Sequence, residues 1–240
     1  GMVDYLVKYF KIKEVVFEDD QFLVKQERVA EICEGLINAK FDIAWSCSSR
    51  ADSVNDLALL KLMKRSGCWQ INYGIESADQ KILDFANKAI TVEQVEKAVS
   101  LTRKAGILAK GYFIFGLPFE TEKTMKNSIR FAKQIPLADV SVFMLTPFPG
   151  SRMYEIAEQY GTTENDFDKM NVLNVVFVPK GLSKEKLLYF QRRFMKEFYL
   201  QPRIIANYIK RLATNPKNFI RMLKAFYGFL RSIFGKTAAL

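Results

Sequence analysis

The chain has 240 residues, 49% hydrophobic and 26% charged, enough apolar material for one sizeable core or a core with an appendage. It contains no histidine, which excludes a Ser-His-Asp hydrolase and His-ligated zinc or iron sites within the chain. Its three cysteines, Cys33, Cys47 and Cys68, fit no zinc or cluster spacing; without an apolar run of about 18 residues or a secretory-leader pattern, a cytoplasmic location is expected.

The elements alternate along the chain. "KEVVFED" (Lys13–Asp19) reads as a strand, and Val29, Ile32, Cys33, Leu36 and Ile37 mark one face of a helix. "DIAWSCS" (Asp42–Ser48) is the second strand, followed by a helix over Asn55–Ser66 with Gly67 at its end. "CWQINYGIE" is the third strand, and a short helix is expected near Gln80–Ala86. Thr91 to Gln94 is a capping box opening a helix that closes at Gly106. "ILAKGYFIF" is the fourth strand, Met125, Ser128, Ile129 and Ala132 mark another helix, and "DVSVFMLTP" is the fifth strand. Ser151 then caps a helix that stops near Gly161. Beyond it Leu173–Val178 reads as one more strand, and Ser183, Pro202 and Pro216 open three basic, aromatic-rich helical segments.

Five strands separated by helices predict an α/β fold with a parallel sheet. The strands are not uniformly apolar, so one face is expected to line a semi-polar cavity, as in a partial (β/α) barrel. A doubly wound sheet fits the same alternation. The expected division is a barrel over residues 1–160 and a mostly helical, basic extension over 161–240.

Charge follows that division. The net charge is +10, yet residues 183–240 hold 13 Lys and Arg against Glu185 and Glu197 alone, while residues 1–182 carry 23 basic and 24 acidic residues. The last 43 residues contain no acid. Basicity thus belongs to a tail, and no nucleic-acid partner is expected.

Parallel α/β folds place chemistry where strands finish. The strand ends here are Glu18-Asp19-Asp20, Ser48-Ser49-Arg50, Gly74-Ile75-Glu76-Ser77, Gly116-Leu117-Pro118 and Thr146-Pro147-Phe148-Pro149-Gly150. Gly116 permits close backbone approach to a flat ligand, Pro118 stiffens the exit, and Ile114 offers main-chain groups to a base edge. Loop polarity is the ordinary alternative at all five. Asp19 reads equally as a helix-terminal charge, Glu76 as a structural carboxylate, and Arg50 and Lys88 as surface charges.

The segments "FEDDQF", "WSCSSRAD", "GCWQINYGIESADQKIL", "NKAITVEQVEKAVSLTRKAG", "GYFIFGLPFETEKT" and "TPFPGSRMYE" together resemble radical S-adenosylmethionine (SAM) enzymes, nearest to the cobalamin-associated group. The resemblance covers roughly residues 3–160, with a fainter likeness in "RRFMKEFYLQPRII". It implies a partial (β/α)6 barrel whose first strand leads to a C-x3-C-x2-C loop holding a [4Fe–4S] cluster. That cluster cleaves SAM to a 5′-deoxyadenosyl radical. Residue by residue it implies Asp19 and Asp20 near the SAM amino group, Arg50 on the cavity rim and Glu76 with Ser77 at the ribose. Lys88 falls at the SAM carboxylate, and Ile114, Gly116 and Pro118 at the adenine. Cobalamin is a further cofactor the group admits, and the substrate is expected to be a small or lipid-like molecule. Phe119 departs from the family's usual "GLPGET".

The chain lacks the C-x3-C-x2-C segment. It reads as strands two to six of the barrel without the cluster loop or an upstream domain, and is expected to be inactive alone. The alternative is a non-catalytic scaffold built on the same barrel. A plain nucleotide-binding domain is disfavoured, because no phosphate-cradling glycine loop occurs. In the tail, Phe219, Ile220, Leu223, Phe226, Tyr227, Leu230 and Phe234 form an apolar face. It suits a missing domain, the barrel itself, or a membrane surface contacted through residues 216–234.

Overall fold

The computed structural model describes residues 1–19, 21–164 and 166–214. A first helix, α1 (Met2–Phe10), leads to β1 (Glu14–Phe17), α2 (Gln26–Asn38), β2 (Ala44–Ser49), α3 (Leu57–Arg65) and β3 (Cys68–Glu76). Then come α4 (Gln80–Phe85), α5 (Val92–Lys104), β4 (Leu108–Phe115), α6 (Glu122–Gln134) and β5 (Asp139–Met144). The chain continues through α7 (Arg152–Tyr160), β6 (Gly161–Thr163), β7 (Phe177–Pro179), α8 (Lys184–Tyr199) and α9 (Pro202–Thr214). β1 to β5 form a parallel sheet in the order β1-β2-β3-β4-β5, and β6 pairs with β7. The sheet is open rather than closed, as in a partial barrel.

Local signals account for the element ends. The Thr91 hydroxyl accepts the Gln94 N–H at 3.2 Å and the Gln94 side chain accepts the Thr91 N–H at 2.8 Å, a complete capping box for α5. The Asp56 carboxylate accepts the Ala58 N–H at 2.7 Å and starts α3. Past α3, Gly67 takes φ 106, and a Cβ there would strike the Ile43 carbonyl; only glycine suits that turn.

By contact density the chain divides into two compact units, residues 1–113 with 134–141, and residues 114–133 with 142 onward. In the first, one sheet face is apolar: Trp45, Cys47, Ile71, Tyr73, Ile75, Ala109 and Phe113 are all buried. The Trp45 indole donates to the Ser66 carbonyl at 3.1 Å, and the Tyr73 and Thr102 hydroxyls share a buried hydrogen bond of 2.7 Å. The opposite face is polar. The register sets Ser46 beside Gln70, Ser48 beside Asn72, Asn72 beside Lys110 and Gly74 beside Tyr112. Because side chains alternate along a strand, these residues share one surface. There the Gln70 amide donates to Asn72 at 2.8 Å and Lys110 lies 3.8 Å from Asp139. The semi-polar sheet face expected from the sequence is therefore present.

The second unit packs around buried Phe115, Phe177, Phe190, Phe194 and Phe198, with the Phe115 and Phe194 rings 5.8 Å apart. Two readings of this region are corrected. The strand expected over Leu173–Val178 is only Phe177–Pro179, because the Asn171 side chain accepts the N–H groups of Leu173 and Asn174 and folds that stretch into a turn. Gly161 is also more than a helix stop, since it opens β6 opposite Pro179. The segment expected from Pro216 and its apolar face lie outside the described residues.

Candidate cofactor site at the ends of β2 and β3

Glu76 ends β3 in an unusual backbone state. Its φ is 62, and the β3–β4 pairing shifts register between Gly74 and Glu76. A non-glycine residue in the left-handed region costs about 1–3 kcal/mol and persists where the surroundings impose it. The carboxylate is largely buried and lies 2.6 Å from the Lys88 ammonium. Lys88 is itself held by the backbone, flanked by Asn87 and Ala89 at φ 51 and 49. Its N–H donates to Leu83, and its carbonyl accepts from the Arg50 guanidinium at 2.7 Å. Arg50 is fixed in turn by Asp52, which takes both faces of the fork at 2.8 and 3.1 Å and raises the guanidinium pKa further. Asp52, Arg50, Lys88 and Glu76 thus make one chain of polar contacts joining the ends of β2 and β3 to the α4–α5 loop.

Beside that chain is a cavity of about 280 Å³, at the small end for ligand pockets. Arg50 and Lys88 supply its cations, Ser48, Ser49 and Tyr112 its hydroxyls, and Asn72 an amide; Gly74 and Ile90 complete the wall. Gly74 keeps it open, because a Cβ there would lie 2.8 Å from the Glu76 carboxylate and 3.1 Å from the Lys88 ammonium. Burial, with Asp139 and Glu18 nearby, pushes the Tyr112 phenol pKa up, so at neutral pH it presents a hydroxyl.

The other expected residues lie in different settings. Ser77 is buried, and its hydroxyl accepts the Asp79 N–H at 3.2 Å in the turn before α4. Asp19 pairs with Arg28 at 2.8 Å and accepts the Gln21 N–H; the latter bond, then Arg28, lowers its pKa. Asp20 lies outside the described residues. Ile114, Gly116 and Pro118 belong to the second unit. Gly116 takes φ 92, and its N–H donates to the Glu120 carboxylate, which is 2% exposed. Space does not demand this glycine, since a Cβ would meet only ordinary contacts with Leu145 and Leu187; its backbone conformation does. Phe119 also sits in the left-handed region at φ 67, with its ring 5.5 Å from Tyr160.

Sequence reasoning missed Asp52, Asn72, Tyr112 and Glu120. Asn72 and Tyr112 were legible as polar residues at alternate strand positions beside Gly74. Asp52 and Glu120 carried no such signal, because each acts through a turn.

The sequence profile of the radical SAM superfamily matches residues 2–132. The chain therefore belongs to the radical SAM superfamily. An uncharacterized methyltransferase of Pyrococcus horikoshii is 34% identical over 198 residues, covering 82% of this chain and 43% of its own length. The anaerobic magnesium-protoporphyrin IX monomethyl ester cyclase of Rubrivivax gelatinosus is 28% identical over 206 residues, covering 83% of this chain and 37% of its own. A solved structure of the cobalamin-dependent S-adenosylmethionine radical enzyme OxsB, with aqua-cobalamin and S-adenosylmethionine bound, has the same fold at a TM-score of 0.62 and 20% identity, covering 89% of this chain and 40% of that one. The chain spans about two fifths of the length of these curated relatives.

The resemblance brings a [4Fe–4S] cluster with it, and the described residues do not fit one. Cys33, Cys47 and Cys68 are free and buried in the core, on α2, β2 and β3. Burial pushes the Cys33 and Cys68 thiols up, away from the thiolate a metal requires. Among the described residues no group of three or more ligating side chains could hold a metal ion.

Proposed function

We propose that this chain is the SAM-binding part of a radical SAM enzyme that methylates or oxidatively remodels a small or lipid-like molecule, with cobalamin as a second cofactor. The observation that carries the reading is the Glu76–Lys88 pair, held by three left-handed residues beside a polar cavity. Backbone strain of this kind clusters at active sites and ligand clamps. SAM brings a carboxylate, an ammonium, a ribose diol and an adenine, and the groups on the first unit's rim suit the polar part of that set. Lys88 pairs with the carboxylate, and Glu76 accepts from the ribose hydroxyls. Arg50 keeps the Lys88 loop in place through its carbonyl, and Tyr112 and Asn72 hydrogen-bond the polar side of the bound molecule. Asp19 and Ser77 complete the contacts proposed on the first unit. When bound, SAM supplies the radical or methyl equivalent, and this chain binds and orients it.

The decisive assay uses a protein carrying this chain together with a C-x3-C-x2-C segment, reconstituted anaerobically with iron and sulfide. Release of 5′-deoxyadenosine from SAM under reduction is expected, with Glu76→Gln raising the KM for SAM at least about tenfold. A fully loaded cluster that releases none would favour the second reading, a non-catalytic scaffold. That reading draws on the burial of all three cysteines.

A further inference from the structure

The polar sheet face continues past the cavity to Lys110 on β4. Two cation–carboxylate pairs at the cavity are closed: Arg50 lies 2.8 Å from Asp52, and Lys88 lies 2.6 Å from Glu76. Lys110 stands 3.8 Å from Asp139, beyond hydrogen-bond distance. Asp139 turns its other oxygen to its own chain, where it accepts the Val140 N–H at 2.9 Å. The Lys110 side chain is 22% exposed, and its ammonium sits 5.3 Å from the centre of the Tyr112 ring, a wall of the cavity. A ring face attracts the cation but accepts little from its N–H groups. A largely buried ammonium without a hydrogen-bonded oxygen is costly, and an acceptor brought by a ligand removes that cost.

A second donor stands on the neighbouring strand. Asn72 is the register partner of Lys110, and the Gln70 amide gives one N–H to the Asn72 oxygen at 2.8 Å. That bond fixes the Gln70 amide and leaves its second N–H for a ligand. We propose that Lys110 and Gln70 form a carboxylate subsite, which holds the acid group of the substrate beside the SAM cavity. Charge selects the class. Asp139 next to Lys110 and Glu18 near Tyr112 leave room for one added negative charge, so a carboxylate fits and a phosphate dianion is repelled. The subsite stands without the SAM reading; that its carboxylate belongs to the reacting molecule rests on that reading.

NMR titration of the isotope-labelled whole chain tests it, with acetate, inorganic phosphate and neutral acetamide as probes at constant ionic strength. Acetate should shift the Gln70 side-chain amide and the Lys110 backbone resonance saturably, with an affinity on the order of millimolar, and the other two probes should bind at least about tenfold more weakly. Lys110→Met should weaken acetate at least about tenfold while keeping the wild-type unfolding midpoint and SAM affinity. Asp139→Asn, which still accepts the Val140 N–H, should strengthen acetate at least about threefold, a gain that a loosened fold would not give. No saturable acetate shift would overturn the proposal, as would phosphate binding as tightly as acetate. Acetate binding lost in Lys88→Met and kept in Lys110→Met would also overturn it, by moving the anion to the place proposed for SAM's own carboxylate. Acetate binding by a chain that takes up no SAM would uphold the carboxylate subsite and overturn the SAM reading instead.

Discussion

Phe119 takes φ 67, a conformation that costs a residue with a Cβ roughly 1–2 kcal/mol, while its edge-to-face contact with Tyr160 returns about 0.5–1.5 kcal/mol. The two nearly cancel, which explains how an aromatic residue occupies a place where glycine is usual in the resembling sequences. Phe119→Gly should accordingly be close to neutral, and Phe119→Ala, which keeps the strain and loses the ring, should be less stable than Phe119→Gly by about 0.5–1 kcal/mol. Urea unfolding of the two variants decides it; an alanine variant as stable as the glycine one would refute the account of this turn. Gly74 makes the complementary case, because its limit is space. A methyl group there reaches the tips of two flexible side chains, so Gly74→Ala should cost less than about 1 kcal/mol of stability yet weaken SAM binding several-fold. Equal SAM affinity in a dialysis measurement would show that the Glu76–Lys88 geometry does not matter. Single residues were also where the sequence was hardest to read. Arg50, Glu76 and Lys88 do come together, whereas Gly116, expected to permit close backbone approach to a flat ligand, gives its N–H to Glu120. A main-chain hydrogen bond to a carboxylate four residues away leaves no mark in composition or periodicity.

Among elements, the helix starts were the most legible feature. The capping box at Thr91 and the caps at Asp56, Ser151 and Ser183 are all formed as their residue types predict. The strand after α7 was misread because Asn171 redirects an apolar run that satisfies the strand pattern by itself. How α8 is held depends on charge. Glu197 binds Lys133 of α6 at 2.8 Å and Arg193 at 2.7 Å, and Lys133 foremost, then Arg193, hold its carboxyl below the usual glutamate range against the opposing effect of burial. A carboxyl with a depressed folded pKa stabilises the protein above its unfolded pKa, and that stability is lost as pH falls through the folded value. Glu197→Gln should therefore lower the unfolding midpoint modestly at about pH 7, by under about 1 kcal/mol because the pair is partly exposed, and the gap should close toward about pH 3. Thermal unfolding at both pH values checks this. A gap that persists at the acidic end would mean Glu197 acts through packing rather than charge.

For the molecule as a whole, five strands in chain order were visible from alternation alone, and the parallel order β1 to β5 matches them. Alternation could not choose between an open barrel-like sheet and a doubly wound one, because both place a helix after every strand. The motifs chose, and the profile match over residues 2–132 agrees with them. The polar inner face was inferred from strands that are not uniformly apolar, and it is what gives the cavity its hydroxyls and amide. That cavity and the ion pair beside it are the proposed seat of SAM. Isothermal titration of SAM into the chain and into Glu76→Gln and Lys88→Met variants of matched unfolding midpoint tests it most directly. Saturable binding to the wild type, weakened at least about tenfold in both variants, is the predicted result. Saturable binding of equal strength in all three proteins, or none to the wild type, would contradict it.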